Sequence, residues 1–312
     1  MKKYFPFFIL ASSLVVVIII AIAFKPQKMI ELTTFPQAYS IVSLVDEQDQ
    51  LAIDLYINHK DSYLINHDNI SHAYLLDKQN NQLKLKIVRI DATGEYLNTN
   101  HKKYYGYQFH FEIPINATSE LTFTMEEANL ILEYIQGTNI DIRIGSFCYY
   151  KVLKFGGDEI TINKLKGVVN EIDGKKTLVG LGIGIKNHLS EHTIIKKIIP
   201  LDVNVFVSYQ DYQEIKNFEP TSNISELLGY HYDVNFQEKS DCLNLEIDDE
   251  GFYLFPLKYT NTITINKLGF IVEYEVDKEI KRLYYDDFTF FNTNQSFESI
   301  INQLVFYHYE NY

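Results

Sequence analysis

The stretch "HLSEH" sets His188, Glu191 and His192 in the order His-x-x-Glu-His. On a helix that spacing puts two imidazoles one turn apart, able to share a zinc ion while the carboxylate takes a proton from the zinc-bound water. The flanks argue against a helix. "LVGLGIGIK" precedes the motif and "TIIKKII" follows it, both rich in β-branched residues, and the few positions between them are the length of a hairpin loop. A solvated turn is therefore the expected setting, and a metal-dependent surface hydrolase using His188, Glu191 and His192, or paired carboxylates, is the alternative.

Other residue types with chemical potential are sparser. Gly180, Gly182 and Gly184 alternate with Leu181, Ile183 and Ile185, so a strand here has one bare face. With no helix following, the glycines suit close approach of an aromatic ring or a backbone better than a dinucleotide phosphate. His59, His67 and His72 cluster around one loop, and Asp248-Asp249-Glu250 and Asp286-Asp287 are acid groups without an ordered calcium-ligand spacing. Polar surface is the default for all of them. Phosphate loops, nucleophile elbows and cysteines beside a base are all missing, so no catalytic residue and no cofactor is expected.

Cys148 and Cys242 leave two possibilities open. Paired, they would close a loop of 95 residues, which the chain-entropy model values at roughly 4 to 5 kcal/mol before strain. Unpaired, they would be ordinary buried thiols.

The elements that must carry these residues are mostly strands. Period-two alternation recurs in "AYSIVSLV" (38–45), "LAIDLYIN" (51–58), "QLKLKIVRI" (82–90), "YGYQFHFEI" (105–113) and "NIDIRIGSF" (139–147), separated by Asn- and Asp-rich turns. Half-buried antiparallel strands follow from that pattern. One interruption reads as a helix over 125–136: Thr124 to Glu127 has the form of a capping box, Met125, Ala128, Leu132 and Ile135 recur at helical spacing, and Gly137 is placed to end it. Strand alternation at Leu130, Leu132 and Tyr134 is the competing phase.

Past Cys148 a further series of strands begins. "LAIDLYIN" with "ISHAYLLD" (70–77) is echoed by "LVGLGIGIKN" with "IIKKIIPLD" (194–202). The fold expected is mainly β, with two tandem antiparallel β-sandwich modules of immunoglobulin-like type over 29–147 and 148–312 and a few short helices. A terminal amphipathic helix is expected within 296–312, from Phe297, Ile300, Ile301, Leu304, Val305 and His308.

The run from Tyr4 to Phe24 is 21 residues without a charge, enough as a helix to cross a hydrocarbon core of roughly 30 Å. Residues 1–28 are thus expected to be a cytoplasmic stub and a transmembrane anchor, with the rest extracellular. Ala21-Ile22-Ala23 has the small-x-small form of a signal-peptide cleavage site, the competing reading. All 41 acidic residues follow residue 30 whereas four of the 28 basic ones precede it, so the remainder carries −17. Such a charge repels nucleic acid and anionic lipid, keeps a domain soluble, and favours cations or basic partners. Lysine over arginine, with many Ile, Asn and Tyr, is the composition of an AT-rich bacterial genome. With 24 Tyr, 21 Phe and no Trp, some tyrosines must be exposed, where they favour protein contact over sugar stacking. The chain reads as a non-enzymatic, single-pass accessory protein of a bacterial cell surface, binding a protein partner at the outer face of the membrane. A structural spacer is the remaining alternative.

Overall fold

The computed structural model of the chain describes residues 29–99, 101–115, 122–172, 175–189, 192–215, 243–260, 264–289 and 304–309. The run from Tyr4 to Phe24, Glu191 and Cys242 lie outside the described residues. Within them the fold is mainly β, no helix is long and apolar enough to cross a membrane, and the helical turns are two short 3₁₀ segments, Tyr63–Ile65 and His67–Asn69.

The first hydrophobic core is built by β1 (Ile30–Thr33), β2 (Gln37–Leu44), β3 (Asp49–Ile57), β4 (Ile70–Leu76), β5 (Gln82–Thr99), β6 (Lys102–Ile113), β7 (Thr122–Tyr134) and β8 (Asn139–Val152). The second uses β9 (Ile160–Ile172), β10 (Lys175–Asn187), β11 (Thr193–Pro200), β12 (Val205–Val207), β14 (Leu245–Ile247), β15 (Glu250–Tyr259), β16 (Thr264–Val276) and β17 (Glu279–Thr289), with β13 (Gln213–Glu214) beside β15. A last strand, β18 (Tyr307–Tyr309), returns to the first core and pairs with β1. Strand pairing makes one long path, β14-β11-β16-β2-β8-β7-β4-β5-β6-β3-β1-β18, which folds over at β5, and a separate sheet β12-β15-β10-β9 that covers the second core.

The two cores meet on β2, not across a linker. Its neighbours β8 and β16 both run parallel to it, which corrects the expectation of an all-antiparallel sheet. Tyr39 and Ile41 enter the first core, Ala38 the second, and Val42 a small cluster with Cys148, Val152, Leu201 and Ile271 between them. A parallel strand covered on both faces reads as continuously apolar, and "AYSIVSLV" misleads because of its serines. Ser40 is fully buried: its hydroxyl donates to the Lys267 carbonyl at 3.2 Å and accepts the Gly269 amide at 2.6 Å. It continues the contact just past the last β2–β16 pair, Tyr39 opposite Lys267, beyond the register slip between Ile265 and Lys267. The close β2–β8 approach depends on Gly145. With φ +118, its place would put a Cβ 2.0 Å from the Gln37 carbonyl oxygen.

The expected helix over 125–136 is a strand, β7. Its register shifts between Met125 and Ala128, so a bulge at Glu126 and Glu127 turns Met125 and Ala128 to the same face, and Leu130, Leu132 and Tyr134 then alternate inward. A bulged strand thereby imitates helical spacing. Glu127 pairs with Lys78 and with Arg143 instead of capping a helix, and Gly137, at φ +88, closes the β7–β8 hairpin. The terminal helix expected over 296–312 is corrected at its described part, where Tyr307–Tyr309 is strand; Phe297, Ile300 and Ile301 lie outside the described residues.

Candidate functional site: the free edge of a corner strand

His188 and His192 do not sit in a hairpin. β10 pairs with β9 and β15, whereas β11 pairs with β14 and β16, so the strands on either side of the motif lie in different layers of the second unit. The internal echo makes the same crossing between β3 and β4. Buried Asn187 organises the crossover: its amide group donates to the Ile247 carbonyl at 3.1 Å, and its oxygen accepts the Leu189 amide at 3.0 Å and the Thr193 hydroxyl at 3.3 Å. His188 Nε2 lies 2.8 Å from Thr161 Oγ1 on β9, and His192 Nδ1 lies 2.9 Å from Asp248 Oδ1 in the β14–β15 turn. Each imidazole has its own partner on a different element.

The loop histidines are likewise separated, His67 lying 3.4 Å from Asp68 and His72 3.3 Å from Glu133. Asp248 faces His192, while Glu250 accepts from Asn163 at 2.9 Å and lies 3.5 Å from Lys164. Among the described residues no group of three or more His, Cys, Asp or Glu side chains could hold a metal ion. Among the described residues Cys148 is a free, buried thiol whose pKa burial, with the Asp202 charge nearby, pushes up to about 12. The bare face of β10 is used as expected: a Cβ at Gly182 would stand 2.7 Å from the Phe252 ring.

The surface feature that the structure adds is β5, which belongs to both layers of the first unit. Through Leu85 it pairs with β4 (Ala73 opposite Leu85), and from Lys86 onward it pairs with β6 instead (Lys86 opposite Glu112, Thr99 opposite Lys102). A strand has two hydrogen-bonding edges, so from Lys86 to Thr99 the edge facing away from β6 has no strand partner among the described residues. Where the two strands part, a cleft of about 470 Å³ opens, floored by Ile70, Ala73, Leu85 and Ile87 and rimmed by His72, Tyr74, Lys84, Lys86 and Glu133. The Tyr74 hydroxyl donates to Glu133 at 3.0 Å.

Along the free edge Val88 is 36% exposed, Arg89 and His110 both hold Asp91, at 2.7 Å and 3.1 Å, and register slips twice, between Ile87 and Arg89 and between Ala92 and Tyr96. Charges and bulges of this kind deter pairing with arbitrary strands and leave room for a selected one. The alternation in the sequence marks this strand only over 82–90, whereas the structure carries it on to Thr99. The available signal was length, since "KKYYGYQFHFEI" needs an equally long neighbour to pair its backbone.

No family model matches the chain, and no curated protein matches it. Among solved structures, the D00-D0 domain of Intimin aligns with 84% of this chain and 100% of that chain at 7% identity and a TM-score of 0.20. BspA_C_WT aligns with 80% of this chain and 97% of that chain, also at 7% identity, with a TM-score of 0.17. Likeness this low says nothing about function.

Proposed function

We propose that this chain is a single-pass, membrane-anchored extracytoplasmic binding protein of a bacterial cell surface, whose two immunoglobulin-like sandwiches present β5 to an extended segment of a protein partner. The observation that carries the reading is the β5 edge from Lys86 to Thr99, which has no strand partner among the described residues and opens from the cleft beside β4. Backbone pairing to such an edge supplies affinity, and the apolar floor and charged rim of the cleft supply selectivity. The uncharged run from Tyr4 to Phe24, five residues ahead of Met29, is the anchor in this reading and keeps the sandwiches outside.

A photo-crosslinking residue in place of Val88 tests it in native membranes. One discrete adduct from Val88, with none from the same residue at the exposed Ile280 of β17, is the expected result. Equal labelling from both positions, or none from either, overturns partner binding at this edge and leaves a structural spacer.

A further inference from the structure

One end of the β1-β3-β6-β5 layer is unlike the rest of this acidic chain. Register aligns its parts: Leu32 and Tyr105 both lie opposite Ile57, Tyr96 lies opposite Tyr105, and Thr99 opposite Lys102. Met29, His59, Lys60 and the β5–β6 hairpin therefore share that end, and the Asn58 side chain donates to the Met29 carbonyl at 3.2 Å. Lys103 Nζ stands 3.8 Å from the centre of the Tyr96 ring and 5.4 Å from that of Tyr105, and Lys60 Nζ covers the other ring contact at 4.9 Å from Tyr105. Tyr96 is 51% exposed and Met29 45%.

Acid groups at this end are few among the described residues, and in the sequence Glu310 follows Tyr309, the partner of Ile30. Glu31 is buried and matched by Lys102, Glu95 accepts the Tyr56 hydroxyl at 3.1 Å, and Asp61 follows Lys60. Lys25 and Lys28 come just before Met29 in the sequence.

We propose that this end rests on an anionic bilayer, with Lys60 and Lys103 taking lipid phosphates and the exposed Tyr96 lying at headgroup level, while Tyr105 packs against the first core beneath them. The proposal builds on the anchored reading. Five residues from Phe24 to Met29 span at most about 17 Å, so an anchor in the hydrocarbon holds this surface within reach of the headgroups. Exposed tyrosines and lysines with long apolar stems suit that layer, and anionic lipid attracts lysine even on a protein of opposite net charge.

The chain contains no tryptophan, so Tyr96→Trp gives a single fluorescent reporter at the surface and Phe8→Trp a second one in the apolar run. Each full-length variant is reconstituted into bilayers of phosphatidylglycerol with phosphatidylcholine, or of phosphatidylcholine alone, with and without brominated acyl chains. The expected result is a blue-shifted, bromine-quenched Tyr96→Trp emission in the anionic bilayer. Adding Lys60→Glu and Lys103→Glu, or about 0.5 M salt, should abolish both effects. Identical emission in both lipids while Phe8→Trp is quenched overturns the headgroup contact and leaves the anchor intact. An unquenched Phe8→Trp overturns the anchor; if Tyr96→Trp still responds to anionic lipid, the surface binds headgroups by itself, and if it does not, the contact falls too.

Discussion

The hydroxyl of Tyr307 accepts the backbone amide of Arg143 at 3.2 Å, and two residues on, the hydroxyl of Tyr309 accepts the amide of Asp141 at 3.1 Å. β2 begins to pair with β8 only at Gly145, opposite Gln37. On the edge away from β7, the β8 amides before that point therefore face no strand among the described residues, and two phenol groups at strand spacing take the place of carbonyls. β18 thus serves both layers of the first unit, pairing with β1 along one edge and capping β8 with its side chains.

Removing either phenol hydroxyl should leave an amide on an exposed strand edge without its acceptor. Tyr307→Phe and Tyr309→Phe are each expected to cost about 1 kcal/mol and, more specifically, to speed hydrogen exchange at Arg143 and Asp141 respectively. Denaturant titration gives the first quantity and amide exchange the second. Unchanged exchange at both amides would contradict the capping role.

Gly145 is the tightest point of the shared sheet. Gly145→Ala must move Gln37 away or abandon a positive φ, and a loss of about 3 kcal/mol or more is expected. Because β2 joins both cores, the unfolding transitions of the two units should separate in this variant. Calorimetry would show two endotherms where the parent shows one.

Cys148 should behave as a protected thiol. Burial raises its pKa to about 12, so the nucleophilic thiolate is scarce at neutral pH and the sulfur lies between the cores. Alkylating reagents should spare it in the native protein and modify it after unfolding without reductant. A Cys148 that stays unmodified in denaturant until reductant is added would instead establish a disulfide.

Glu31 links folding to pH. Burial alone would raise its pKa, but hydrogen bonds from Lys102 and Tyr104 and the nearby charges of Lys102 and His308 outweigh that and lower it below the ordinary 4.5. A depressed carboxyl pKa stabilises the fold above the unfolded value, and the benefit disappears as pH falls through the native value. Glu31→Gln is expected to cost about 1 to 2 kcal/mol near neutrality and little at pH values well below the native pKa. A cost that persists unchanged into acid would refute the ionic origin.

Much of the fold was legible because alternation is local: the strands at 51–58, 70–77, 105–113 and 139–147 follow from their apolar faces alone. What failed needed information from elsewhere in the chain. The serines of β2 resemble a wet face, but both are buried, and Ser40 bonds the backbone of β16. The bulge of β7 borrows helical spacing, and nothing within 122–134 distinguishes the two. β5 hid its length because Gly94, at φ +79, is a turn residue used inside a strand. The HLSEH residues were rightly read as flanked by strands, yet sequence alone could not say that those strands lie in different layers. A candidate site made of an unpaired edge is invisible locally, since an edge is defined by the neighbour it lacks.

Protease treatment of intact protoplasts tests the central claim most directly, namely that the β body stands outside the membrane on the run from Tyr4 to Phe24. The account predicts that the body is shaved off while a membrane-embedded fragment that still begins at Met1 remains. Recovery of the protein from the culture medium with Phe24 as its first residue would contradict it, as would a body that resists protease until the membrane is opened.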